Sequence, residues 1–237
     1  YKQLNNNILQ IENEFYSTVR PKQIAESCEK PTLALQRRGV KYIEIRSLDL
    51  DSFNPIGIDE NKARFIEAFL LNCLLQDSPE YTGQEQQINN INQLSVAHLG
   101  RKPGLEINKN GQTILLTRWA DEILKSMQPV CTILDEGKPD KPYTKALEHQ
   151  FAVIQNPDLT PSAKILLGMK NTDKPFGCLG LSASELHKRK FKLNKLDAKT
   201  TEQFDQMSVI SLQKQKQIEA NDTLSFDEFL QHYFAQQ

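Results

Sequence analysis

Glu44 and Arg46 stand two residues apart in the stretch VKYIEIRSLDLD, from Val40 to Asp51. Alternate side chains of an extended chain share a face, so Tyr42, Glu44 and Arg46 point one way and Ile43 and Ile45 the other. Upstream, ILQIENEFY (Ile8 to Tyr16) alternates in the same way. Leu9, Ile11 and Phe15 fall on one side, Gln10, Glu12, Glu14 and Tyr16 on the other, with Asn13 the exception. If the two strands share a sheet with their apolar sides down, Glu12, Glu14 and Glu44 meet on its upper face beside Arg46. Clustered carboxylates repel unless a cation neutralises them, and Mg2+ is usually held by one or two carboxylates with phosphates and waters completing its shell. A guanidinium beside them is a planar bidentate donor for phosphate or carboxylate. Metal, acid and arginine on a rigid sheet are the parts of phosphoryl transfer. The bland alternative is a solvated sheet face with a Glu44–Arg46 ion pair worth about 0–1 kcal/mol.

Other candidates carry less. Glu12 and Glu14, same-face neighbours about 7 Å apart in an ideal strand, resemble a glycosidase acid pair. Nothing suggests a sugar groove, however, and Trp119 is the single tryptophan. His98, His149, His187 and His232 are isolated, with no His-x-x-x-His pair. Cys28, Cys73, Cys131 and Cys178 are too scattered for a zinc site and are expected to be reduced, buried small apolar residues. GRKPG (Gly100 to Gly104) lacks the Lys-Ser/Thr ending of a phosphate loop. HKRKFKLNK (His187 to Lys195) fits a solvated helix end, in a chain whose net charge is −1.

The elements that must position these residues are two sequence-close strands and then helices. PTLALQRRG (Pro31 to Gly39) fits a short helix stopped by Gly39. Asp59 caps a helix over ENKARFIEAFLLNCLLQD. QEQQINNINQLSVAHLG is a second helix, ended by Gly100. GRKPGLEINKNGQ is expected as a loop, followed by a long helix from Thr113 that contains Pro129. KALEHQFAVIQN is helical, and Thr160 with Pro161 opens another helix. Ser182–Glu185, Thr200–Gln203 and Ser225–Glu228 each match the capping-box pattern. The fold class is therefore α+β, part of an antiparallel sheet followed by a mainly helical lobe. The boundary is expected at residues 1–58 for the sheet part and 59–237 for the lobe.

The chain's 237 residues, 38% hydrophobic and 25% charged, suit a globular protein. The charge balance favours neither a nucleic-acid nor a membrane partner. No apolar run approaches the roughly 18 residues of a membrane span, and no secretory leader is visible, so a cytoplasmic setting is expected. The sequence begins at Tyr1, without methionine and close to a strand, and is expected to be a cut through a longer protein.

Four stretches, LQIENEFYSTVRPK, RRGVKYIEIRSLDLDSFNPIGID, GRKPG and NPDLTPSAKIL, resemble in order and spacing the C-terminal part of proteobacterial-type glutamate–cysteine ligases. The resemblance runs along nearly the whole chain and is most specific from Leu9 to Asp59. It implies a funnel of the glutamine synthetase type whose inner face binds Mg2+, ATP and amino acids. It also implies an ATP-dependent joining of the glutamate γ-carboxylate to the amine of cysteine, through a γ-glutamyl phosphate, as the first step of glutathione synthesis. By the same resemblance Glu44 is a metal ligand, Arg46 a catalytic residue at the phosphates, and Tyr16 and Arg20 are substrate-binding. Glu12 and Glu14 support metal or nucleotide, or order the sheet. The family's other metal ligands fall before Tyr1, so the chain alone is expected to be inactive and to need the missing N-terminal part. Two rivals stay open: a non-catalytic helical remnant, and a carboxylate–amine ligase with another acceptor.

Overall fold

The structure, a computed structural model, describes residues 3, 4, 6–80 and 82–236. Tyr1, where the sequence begins, lies outside them. The chain divides into two units, one of Tyr1–Asp49 with Asn194–Gln237 and one of Leu50–Leu193.

The first unit is built on a β-ribbon. Strand β1 (Val19–Lys22) runs antiparallel to β2 (Tyr42–Ile45), with Val19 opposite Ile45, Arg20 opposite Glu44, Pro21 opposite Ile43 and Lys22 opposite Tyr42. A proline is tolerated in a strand only at an edge or bulge, and β1 has a free edge in this pair. Helix α1 (Pro31–Arg38) joins the strands. It ends where Gly39 takes φ 72° and returns its N–H to the Leu35 carbonyl at 2.8 Å, a conformation that favours glycine.

Two expectations fail here. Ile8–Tyr16 is not a strand: Glu12–Glu14 form a 3-10 turn, with Glu14 N–H on the Ile11 carbonyl at 3.1 Å and Phe15 N–H on the Glu12 carbonyl at 3.2 Å. Strand β2 takes Val19–Lys22 as its partner, which sets the opposite charges of Arg20 and Glu44 face to face. The upstream alternation forms no strand among the described residues, and local bonds capture it instead, among them Gln10 N–H to the Glu14 carboxylate at 2.8 Å. The apolar side of the ribbon is also not a packed face. Val19 and Ile43 are 49% and 48% exposed and Ile45 is half-buried, while on the other side Arg20, Lys22 and Glu44 are half-buried and Tyr42 is 48% exposed. A two-stranded ribbon brings no second layer of its own, and the long stems of arginine and lysine cover its polar side.

Helices α8 (Ala198–Asn221) and α9 (Phe226–Ala235) belong to the same unit. Asp197, not Thr200, caps α8, accepting the Thr200 N–H at 2.9 Å. Ser225 and Glu228 form the expected capping box of α9. After α9, the Gln236 side chain donates to the Cys28 carbonyl at 2.7 Å and accepts the Lys30 N–H at 3.0 Å.

The second unit is helical. Helix α2 (Glu60–Leu75) starts at Asp59, whose carboxylate accepts the Lys62 N–H at 2.6 Å. Helix α3 (Gly83–Leu99) follows a Thr82–Glu85 capping box. The stretch expected as a loop holds a hairpin, β3 (Glu106–Lys109) and β4 (Gln112–Leu115), so the long helix α4 (Leu116–Leu134) starts three residues later than expected, with Pro129 inside it. Asn110 and Gly111, at φ 52° and 83°, make the turn, as Asn-Gly pairs do between strands. Helices α5 (Pro142–Gln155), α6 (Pro161–Thr172) and α7 (Phe176–Leu193) complete the unit. Thr160 caps α6 as expected. Ser182 lies inside α7, with its hydroxyl on the Cys178 carbonyl at 2.9 Å, and caps nothing. The core is Ala68 from α2, Leu124, Met127, Val130 and Cys131 from α4, and Leu147 from α5. All four cysteines are free, but only Cys131 is buried, against the expectation for Cys28, Cys73 and Cys178. Among the described residues, no helix is long and apolar enough to cross a membrane.

Candidate functional site

The half-buried side of the ribbon gathers most of the residues singled out above. Its register fixes this: Arg20 and Lys22 on β1 share a face with Tyr42 and Glu44 on β2. Arg46 follows β2, held by its N–H on the Thr18 carbonyl at 2.8 Å. The Glu44 carboxylate is the centre. Its Oε2 accepts from Arg46 Nη2 at 3.1 Å and lies 3.7 Å from Lys22 Nζ. Oε1 carries no protein partner among the described residues. Tyr16, brought in by the turn rather than by a strand, lies under Arg46, whose Cζ is 5.5 Å from the ring centroid.

The hydrogen bond from Arg46 holds the Glu44 carboxyl below the usual carboxylate range despite partial burial, with the charges of Arg46, Lys22 and Arg20 adding to it. Three cations thus surround one carboxylate. The face has a positive excess that suits a multiply charged anion such as a polyphosphate.

Glu12 and Glu14 do not join this face. Glu12 Oε2 accepts the Thr32 N–H at 2.8 Å, in the first turn of α1. Lys30, the N-cap residue there, makes no side-chain cap bond, so Glu12 satisfies a free amide and sits at the positive end of the helix. Glu14 is engaged with Gln10. The three-carboxylate face expected from alternation is therefore replaced by one carboxylate and three cations. Lys22 is the residue the sequence reading missed. The alternation Arg20-x-Lys22 was visible, but Pro21 between them reads as a turn.

A hard oxygen donor with one free oxygen, Glu44 fits Mg2+ in the mode that uses a single protein carboxylate with phosphates and waters. Among the described residues, no group of three or more His, Cys, Asp or Glu side chains gathers to hold a metal by itself.

Comparisons with known proteins cover the stretch in which these residues lie. Residues 1–96, which contain all of them, match the family model described as glutamate–cysteine ligase. The glutamate–cysteine ligase of Azotobacter vinelandii is 42% identical over 233 residues, which are 98% of this chain and 44% of that protein. Along nearly its whole length the chain is similar to glutamate–cysteine ligases. The ligase of Saccharophagus degradans is 41% identical over 239 residues, 100% of this chain and 45% of its own length. A crystal structure of glutamate–cysteine ligase from Francisella tularensis in complex with AMP superposes with a TM-score of 0.88 at 34% identity, covering 98% of this chain and 46% of that one. The chain thus spans less than half the length of the family members it matches. The family fold accounts for the sheet-plus-helices architecture, α+β as expected.

Proposed function

We propose that this chain is the C-terminal part of a glutamate–cysteine ligase, which uses ATP to join the γ-carboxylate of L-glutamate to the amine of L-cysteine. The observation that carries the proposal is the Glu44 carboxylate held between Arg46 and Lys22, with Arg20 across the strand pair, inside the 96 residues that match the family. AMP in the related crystal structure supports an adenine nucleotide as a ligand of the fold.

The chemistry has two displacements. A γ-carboxylate oxygen of glutamate attacks the terminal phosphorus of ATP, and ADP leaves with the bridging oxygen. The cysteine nitrogen then attacks the acyl carbon, the C–O bond to phosphate breaks, and the amine gives up a proton. Negative charge builds on the phosphoryl oxygens in the first step. Arg46, braced by the Tyr16 ring, donates to those oxygens and holds the phosphoryl group in line. Arg20 adds charge from β1 and binds a substrate carboxylate. The Tyr16 hydroxyl serves the carboxylate of cysteine. Glu44 would hold Mg2+ through its free oxygen, and the ion would supply neutralisation of phosphate charge. With one carboxylate in place, the remaining ligands come from sequence outside this chain, and the isolated 237 residues are inactive. The setting is the cytoplasm, and the product feeds glutathione synthesis.

The test is an assay of ATP-dependent ligation of glutamate to cysteine by the natural-length polypeptide, with Glu44→Gln and Arg46→Ala beside it. Turnover with cysteine that both substitutions abolish supports the proposal. Turnover only with another amine identifies a different carboxylate–amine ligase, and a folded protein with no nucleotide-dependent activity identifies a non-catalytic relative.

A further inference from the structure

Lys22 is out of proportion to its visible partner. One guanidinium balances one carboxylate, and Arg46 already does so for Glu44 at 3.1 Å. Lys22 Nζ approaches the same oxygen only to 3.7 Å, with its side chain 27% exposed, which is beyond hydrogen-bond length. Among the described residues its ammonium donates no hydrogen bond to the protein. At that exposure water reaches the three donors of the ammonium, so no protein acceptor holds them against an acceptor that arrives from outside. Arg20, directly across from Glu44, adds a further positive charge and no acceptor.

The neighbourhood specifies the acceptor. Arg20, Lys22 and Arg46 share one face and leave a positive excess once Glu44 is counted. A divalent cation at the free Oε1 of Glu44 would raise that excess and exclude a second cation as ligand. The complement is an oxyanion with several charges. An ammonium on a flexible four-carbon stem turns easily from a carboxylate to a phosphate oxygen, and unlike arginine it requires no planar match.

We infer that Lys22 is a phosphate-binding residue of this site. Glu44 parks its ammonium in the empty state, and the Lys22 ammonium moves onto a phosphate oxygen of the nucleotide when the nucleotide arrives. This rests on the reading of the ribbon face as the nucleotide site and adds to it a residue and an exchange of partners.

The experiment is calorimetric titration of the natural-length polypeptide with ADP, once in EDTA and once in Mg2+, for wild type, Lys22→Met, Lys22→Gln and Lys22→Arg. Melting curves verify that each variant is folded, and Lys22→Gln, with its polar stem, serves if Lys22→Met melts early. The neutral variants are expected to bind ADP about tenfold more weakly in both conditions, the scale of one charge-assisted hydrogen bond. Lys22→Arg is expected to stay within about threefold of wild type, because it keeps the charge. Unchanged ADP binding by folded neutral variants overturns the inference while leaving the nucleotide site standing. A loss confined to Mg2+ also overturns it, since Lys22 would then act only by positioning Glu44. Failure of folded wild type to bind ADP at all overturns the nucleotide reading itself, and this inference with it.

Discussion

The guanidinium of Arg46 lies over the ring of Tyr16, Cζ to centroid 5.5 Å, although the two residues belong to different segments and no strand pairing joins them. The ring contributes its face to the arginine, and in the proposed function its hydroxyl takes the cysteine carboxylate, so the two roles of one side chain are separable. A cation–π contact of this exposure is worth about 0.5–1 kcal/mol.

Tyr16→Phe keeps the ring and removes the hydroxyl. For the proposed ligation by the natural-length polypeptide, its KM for cysteine is expected to rise about tenfold, the loss of one hydrogen bond to a charged group, with KM for ATP unchanged. Tyr16→Leu is expected to raise KM for ATP as well, by about two- to fivefold. Steady-state kinetics with each substrate varied in turn separates the two variants.

Glu44 and Arg46 should fail differently. Arg46→Lys keeps the charge but loses the planar fork and the stack on Tyr16. Its kcat is expected to drop about 100-fold, with KM for ATP little changed. Glu44→Gln removes the anion from among three cations. ADP binding in EDTA is expected to hold or tighten, while the benefit of added Mg2+ disappears. Calorimetry at graded Mg2+ concentrations reads this reversal.

Glu29 gives an acid-stability window. Arg38 donates two hydrogen bonds to its carboxylate, at 3.0 and 2.5 Å, and holds its pKa down to about 2. The folded value lies below the unfolded one, so the stabilisation is complete above about pH 4.5 and is lost as pH falls towards about 2. Thermal melts across pH 2.5–6, a range chosen about these two values, are expected to show a shallower acid loss for Glu29→Gln than for wild type. The variant should be the less stable of the two at pH 6 and above.

Asp135 ties α4 to α5. Its carboxylate accepts the Tyr143 and Thr144 N–H groups at 2.9 Å each and the Thr144 hydroxyl at 2.7 Å. Burial works against its charge, yet these bonds prevail and keep its pKa below the ordinary range. Asp135→Ala leaves two helix-start amides without their acceptor. It is expected to cost about 2 kcal/mol and to lower the Tm of the longer protein by about 2–4 °C. Differential scanning calorimetry on the natural-length protein checks it, and Asp135→Asn should lie between the two.

Much of the helical structure of both units could be read in the sequence because its signals are local. Asp59, Thr160 with Pro161, and Ser225 with Glu228 each satisfy free amides within a turn of themselves, so their types and spacing suffice. Asn110-Gly111 was equally local, a hairpin turn whose flanking strands are short enough to pass for loop. The patterns at Ser182 and Thr200 misled because a serine or threonine three residues before an acid or amide also fits a helix interior.

The site divides along the same line. The sequence by itself determined that Glu44 and Arg46 share a face, since strand periodicity needs no partner, and the family motifs marked Tyr16 and Arg20. Only the tertiary structure decided which strand faces β2, because pairing depends on the opposing charges of Arg20 and Glu44 and on competition with local turns. That choice folded Glu12 and Glu14 away, to a helix start and a turn. It put Lys22 beside Glu44 and turned an expected ring of carboxylates into one carboxylate among three cations.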